Sequence, residues 1–288
     1  MFDYKLIEAL AKVSEEGGFD KAACALHITQ SAVSQRLKLL EEQMGQILLV
    51  RTSPPRLTPA GQELVKHFLQ VNYLEDELQE RMGAQFDNPH ARLTVAINAD
   101  SLATWFLVTI QPFIAKQNLL LDIRVEDQDE TLHLLKNGDV VGCISTHNRA
   151  IQGCNISHIG SMPYHMVAAP EFAAQWFPEG FTLSHTAQAP AIFFNRKDDL
   201  HRMFLRENYG IQHQNIPAHY IPSSEKFSHF MVAGLGYGLL PFVQSKPYID
   251  TGKLIDLSPG HTLQIKLYWH CWNLKSKRLE KLSHMLKF

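Results

Sequence analysis

HITQSAVSQRLKLLEEQMG, residues 27–45, reads as a helix with an unusual outer face. At 100° per residue Val33, Leu37, Leu40 and Met44 form one narrow apolar stripe, which predicts the buried side. Ser31, Ser34, Gln35 and Lys38 lie roughly opposite. A solvated helix usually carries long charged side chains there. Hydroxyls and amides are better suited to hydrogen bonds with base edges in a major groove.

The flanking sequence sharpens this reading. Leu6, Leu10 and Val13 recur at helical spacing, so residues 3–15 are predicted to form an amphipathic helix ended by Gly17 and Gly18. Asp20 is the expected cap of a short helix, DKAACAL, whose alanines allow close packing. His27 and Ile28 make a turn, and Thr29 can cap the third helix. Two helices, a turn and a third helix make a helix-turn-helix pattern. ILLV and RLT, around Ser53-Pro54-Pro55, read as a two-stranded wing with Arg51 and Arg56 at its tip. The expected DNA contacts are therefore Gln30, Ser31, Ser34, Gln35, Arg36, Lys38, Arg51 and Arg56. An ordinary solvated helix face beside two surface arginines is the competing reading.

Composition bounds the remaining possibilities. The chain has 288 residues, enough for two or three domains, and a net charge of −2. From Lys21 to Ala60, however, five basic residues face two acidic ones, a local balance compatible with phosphate binding. No apolar run approaches a membrane span, and there is no signal-peptide core. Cys24, Cys143, Cys154 and Cys271 are scattered, which predicts reduced thiols and a cytoplasmic location. The histidines show no ligand spacing, so neither a metal nor a cofactor is expected.

From Pro59 to Met82 one long helix is predicted. Leu64, Phe68, Val71, Leu74 or Glu75, Leu78 and Met82 fall at near-heptad spacing, which fits pairing with a second copy or packing within the chain. GAQFDNPHA, 83–91, reads as a linker. From Arg92 onward strands and helices alternate, predicting two α/β lobes on a mostly parallel sheet with a cleft between them. The expected division is 1–58, a DNA-binding winged helix-turn-helix; 59–90, a dimerisation helix and hinge; and 91–288, a two-lobed effector domain.

The cleft residues are read from strand-to-helix turns. Asp100 and Ser101, with Thr104 a turn later, open a helix whose free N–H groups can hold a carboxylate. Ser223, Ser224 and Glu225 make a similar turn in the other lobe. Glu126, Asp127, Asp129 and Glu130 follow a strand end and are candidates for a cationic side chain, as well as ordinary loop acids.

The block DKAACALHITQSAVSQRLKLLEEQMGQILLVRTSPPRLTPAGQEL, 20–64, resembles the N-terminal signature of LysR-type transcriptional regulators, and the two-lobed region with GLGYGLLP is similar to their periplasmic-binding-protein-like effector domain. VRTSPPRLTPAGQ, NADSLATW, VEDQDE, GDVVGCIS, SSEKF, LIDLSPG and LYWH further resemble the ArgP (IciA) and LysG branch. That resemblance implies a regulator answering to lysine or arginine and controlling a basic amino acid exporter or related genes; for such an effector Asp100 is assigned to the α-ammonium and Asp127 or Glu225 to the distal cation. The expected partners are double-stranded promoter DNA, the effector, a second copy or a dimer of dimers, and RNA polymerase, with no membrane. Two other classes stay open. An enzyme on the α/β lobes would need a nucleophile elbow, P-loop or post-strand GxGxxG, none of which is found. A DNA-architectural protein without an effector would have a cleft that binds nothing.

Overall fold

The computed structural model describes residues 2–82, 92–117, 119–126, 128–211 and 215–287. Helix α1 (Tyr4–Glu16) begins where the Asp3 side chain accepts the Lys5 N–H and stops at Gly17, whose φ of 69° is left-handed. Its face of Leu6, Ile7, Leu10 and Val13 is buried. Each such side chain contributes about 1.5–3 kcal/mol. In α2 (Phe19–Ala25) Gly18 occupies the cap position and Asp20 lies in the first turn, two residues past the cap, so it does not take the capping role read from the sequence. Ala22 and Ala23 are buried. Helix α3 (Gln30–Met44) is capped by Thr29, which accepts the Ala32 N–H at 3.2 Å. Val33, Leu37 and Leu40 enter the same core as α1.

The wing is β1 (Leu49–Val50) paired antiparallel with β2 (Arg56–Leu57). Thr58 then caps α4 (Pro59–Arg81), with Pro59 in the first turn. Gly61 allows α4 to rest on the wing: a Cβ there would stand 2.1 Å from the Leu48 carbonyl oxygen. Leu64 and Phe68 of α4 are buried in this N-terminal core, so that half of the near-heptad stripe packs within the chain. Leu74, Leu78 and Met82, further along, are exposed.

The first lobe holds β3 (Arg92–Ile97), a helical run from Ala99 to Gln117, β4 (Leu120–Val125), α7 (Gln128–Asn137) and β5 (Gly142–Ser145). The helical run consists of α5 (Ala99–Ser101), a π segment (Leu102–Phe106) and α6 (Leu107–Gln117). Strand β6 (Cys154–Ala168) crosses to the second lobe. There lie α8 (Pro170–Trp176), α9 (Leu183–Thr186), β7 (Ala191–Phe193), α10 (Leu200–Tyr209), β8 (Ala218–Tyr220), α11 (Ser224–Val232), β9 (Gly238–Pro241), α12 (Phe242–Asp250) and β10 (Ile255–Asp256). Strand β11 (Leu263–Trp272) returns to the first lobe, and α13 (Lys277–Met285) ends the described fold.

The main sheet runs β10-β6-β11-β5-β3-β4, with β9 also on β6. Among the described residues of this sheet only β3 pairs parallel, with β4 and β5, while β7 and β8 form a separate parallel pair. The pairs β5–β11, β11–β6, β6–β10 and β6–β9 are antiparallel, which corrects the mostly parallel sheet expected from the alternation. The cause is the long β6 and β11, which run in opposite senses along the centre of the sheet. Helix α12 was hidden in the sequence by Pro247, which lies inside it. Trp269 and Trp272 of β11 are among the largest fully buried side chains. Gly142 is required beneath Trp269, because a Cβ there would lie 2.2 Å from the indole ring.

Candidate effector cleft and nucleic-acid interface

Helix α3 turns Val33, Leu37 and Leu40 inward, and this fixes what faces out. Gln30, Ser31, Gln35 and Lys38 are exposed, while Ser34 and Arg36 are half-buried. Lys38 stands 3.7 Å from Glu42, an exposed pair that a phosphate can replace at small cost. Thr29 and Ser31 hydroxyls lie 2.9 Å apart at the helix start. Arg51 and Arg56 are exposed on the wing, and the Arg51 guanidinium sits 5.8 Å over the Phe19 ring. Hydroxyls and amides thus occupy the helix face, with the two wing cations beside it.

A cleft of about 490 Å³ is lined by residues of both lobes, among them Asn98, Asp100, Thr146, Tyr164, Asp198 and Met203. Asp100 is its most constrained group. Its carboxylate accepts the Tyr164 hydroxyl at 2.6 Å and, from the second lobe, the Ser224 hydroxyl at 2.6 Å. Burial pushes its pKa up, the two hydroxyls oppose this, and the negative Asp198 adds to it. Asp198 sits at the turn into α10, where its carboxylate accepts the Phe194 N–H at 2.8 Å and the Leu200 N–H at 3.0 Å. Its pKa is also raised by burial, against those two N–H groups. Two half-buried carboxylates held by neutral donors, with the exposed Lys197 on the same lining, make this part of the cleft receptive to a cation.

The other sequence-read residues are placed as follows. Ser101 is fully buried, its hydroxyl has no hydrogen-bond partner among the described residues, and it does not line the cleft. The Thr104 hydroxyl donates to the Asp100 carbonyl at 2.6 Å, a bond within the helix. Ser223 caps α11 by accepting the Lys226 N–H. Glu225 is exposed in the first turn of α11 and does not line the cleft. Glu126 lines the cleft mouth, whereas Glu130 is exposed outside it. Asp127 lies outside the described residues, as does the side chain of Asp129. Asp198, Tyr164 and Thr146 were not picked out in the sequence. A signal for Asp198 was present: NRKDDL joins strand β7 to helix α10, a third strand-to-helix turn of the kind that marked Asp100 and Ser224.

Comparison with known proteins bears on both regions. Residues 4–62 match the family model "Bacterial regulatory helix-turn-helix protein, lysR family", and residues 87–288 match "LysR substrate binding domain". The chain belongs to the LysR family. A LysR-family relative from Pseudomonas aeruginosa, the HTH-type transcriptional regulator ArgP, is 42% identical over 288 residues, covering 99% of this chain and 95% of the relative. The crystal structure of ArgP from Mycobacterium tuberculosis superposes with a TM-score of 0.90 at 37% identity, covering 99% of this chain and 96% of that one. Full-length LysG from Corynebacterium glutamicum with bound effector Arg superposes at 0.80 with 32% identity and the same coverage. The protein is therefore a DNA-binding transcriptional regulator of the LysR type, close to the ArgP and LysG branch, and not an enzyme. Its architecture is a winged helix-turn-helix, a long helix and a two-lobed α/β effector domain.

Proposed function

We propose that the protein is a cytoplasmic, homo-oligomeric regulator gated by arginine or lysine and controlling a basic amino acid exporter or related genes. In this reading residues 1–58 bind promoter DNA, 59–90 carry the pairing helix and hinge, and 91–288 bind the effector. The observation that carries it is the cleft lined by the half-buried carboxylates Asp100 and Asp198, in a chain similar to a LysG that holds arginine. Asp100 takes the α-ammonium. Asp198 replaces Asp127 and Glu225 as the partner of the distal cation. The α-carboxylate meets the helix start at Ala99 and the Thr146 hydroxyl, which share the cleft lining. Ser224 and Tyr164 position Asp100. The ligand acts by binding one arrangement of the lobes more tightly than another, since only differential affinity shifts such an equilibrium.

On DNA, Ser34, Gln35 and Lys38 read bases, with Gln30 and Ser31 at the helix start and Arg36, Arg51 and Arg56 on the backbone. A lost base contact costs about 1–3 kcal/mol of discrimination. Gln35→Ala should therefore relax specificity. Arg51→Ala should weaken all sequences and lower the salt slope by about one unit. Fluorescence anisotropy on selected and random duplexes checks this. An equal loss on both duplexes in both variants would refute the recognition-helix assignment.

Pairing is assigned to the exposed end of α4. Leu74, Leu78 and Met82 are spaced at four-residue intervals, and Leu78 is 47% exposed in the single chain. Leu78→Asp should turn the dimer into a monomer, because it would bury an unpaired charge at the interface. Sedimentation of the variant as an intact dimer at micromolar concentration would contradict this.

A further inference from the structure

The long helix and the last helix meet at a charge cluster that neither the DNA face nor the cleft uses. Arg278, in the first turn of α13, is 3% exposed and donates to the Glu80 carboxylate of α4. Its guanidinium lies 5.4 Å over the Tyr73 ring. Glu77, 7% exposed, accepts the Lys277 backbone N–H at 2.9 Å, at the positive end of the same helix. Tyr73 meets the buried Trp272 edge-on, with centroids 6.3 Å apart. A second contact holds the same face of α4 two turns earlier. Gly138, just after α7, sits against it so closely that a Cβ would stand 3.2 Å from the Lys66 Cα. Both contacts belong to the first lobe, and α13 packs on α6, the continuation of the helical run that carries Asp100.

Simple attachment does not call for buried ions, since apolar side chains of similar size attach two helices at least as well. The buried ionic side chains Arg278 and Glu77, held by directional bonds to the accessible Glu80 carboxylate and to a backbone N–H, single out one relative orientation. We propose that Tyr73, Glu77, Glu80 and Arg278 form a latch that fixes the linker helix to the Asp100-bearing lobe and transmits ligand-driven lobe movement to the DNA-binding part. Without it, the same movement would be dissipated between the two parts of the chain. This inference rests on the proposed gating by a basic amino acid.

The test uses the full-length protein and two variants, Arg278→Ala and Glu80→Lys. The second keeps Arg278 and places a like charge on the accessible side of the cluster, so it remains informative if the first fails to fold. L-arginine binding is measured by calorimetry, DNA binding on a selected duplex with and without arginine, and amide exchange along α4 and α13. Both variants should bind arginine, and bind DNA without arginine, within about twofold of wild type. The arginine-induced shift in DNA affinity, about 5- to 150-fold for ordinary allosteric coupling, should fall at least about fivefold. Exchange of residues 73–81 and of the Lys277 amide should rise about tenfold or more. Folded variants with unchanged exchange and a wild-type arginine shift would overturn the latch. If arginine does not shift wild-type DNA binding, the gating reading fails instead, and exchange alone then judges the latch: a rise supports it and no change rejects it.

Discussion

Asp100→Asn is expected to weaken arginine binding by roughly ten- to a hundred-fold, the effect of losing one charge-assisted hydrogen bond. Among the described residues the carboxylate accepts from two hydroxyls, Tyr164 and Ser224, and its pKa is raised by burial. A ligand ammonium would supply the missing countercharge. The sign of the stability effect follows. A carboxyl whose folded pKa lies above its unfolded value binds more protons when folded. It therefore lowers stability as pH rises from the ordinary carboxylate range through the raised folded value. Asparagine has no charge to desolvate, so ligand-free thermal stability at neutral pH should hold or rise in the variant. Arginine affinity in the wild type should fall as pH drops and Asp100 takes up a proton. DNA affinity without ligand should stay within about twofold, because a core-cluster boundary separates cleft and recognition helix. Calorimetry across pH measures the affinity and thermal denaturation the stability. Unchanged arginine affinity in Asp100→Asn would remove Asp100 from the site.

Gly61→Ala should disable DNA binding while sparing the cleft. The added Cβ would stand 2.1 Å from the Leu48 carbonyl oxygen and 3.3 Å from a Leu57 methyl. The Leu48 oxygen is backbone and already accepts the Thr58 N–H at 3.0 Å, so α4 must lift off the wing. Such overpacking costs about 1–3 kcal/mol, sometimes more. The cost falls on the small N-terminal core, where Leu48, Leu64 and Leu37 meet. DNA affinity should drop at least about tenfold, with the first melting transition lowered by several degrees. Arginine binding should be unchanged. Wild-type DNA affinity in Gly61→Ala would mean that the wing and α4 do not need this contact.

Periodicity carried the N-terminal part of the fold. Val33, Leu37 and Leu40 define α3 with local information alone, and Thr29 and Gly45 mark its ends. The antiparallel centre of the sheet was not legible, because strand direction depends on where β6 and β11 travel, and neither turn chemistry nor alternation encodes that. For the cleft, strand-to-helix turns led to Asp100 and Ser224, which the fold joins across 124 residues of sequence. The same rule overshot at Ser101 and Thr104. A helix start says which residues are in the first turn, but not which of them face inward, and here Asp100 faces the cleft while Ser101 is packed behind it. Tyr164 escaped notice because it lies within the long β6, in a pattern that reads as ordinary alternation. Leu64 and Phe68 shared a stripe with Leu78, yet they are buried in the N-terminal core against α1, since a 23-residue helix can cross two environments on one face.

The central claim is that a basic amino acid, recognised by its charge, changes how this protein holds DNA. Its most direct test is the affinity of the full-length protein for a selected duplex, titrated at fixed salt with L-arginine, L-lysine and the uncharged analogue L-norleucine. Arginine or lysine should shift the DNA affinity, within the roughly 5- to 150-fold range of ordinary coupling, and norleucine should leave it unchanged. An equal response to norleucine, or no response to any of the three, would contradict it.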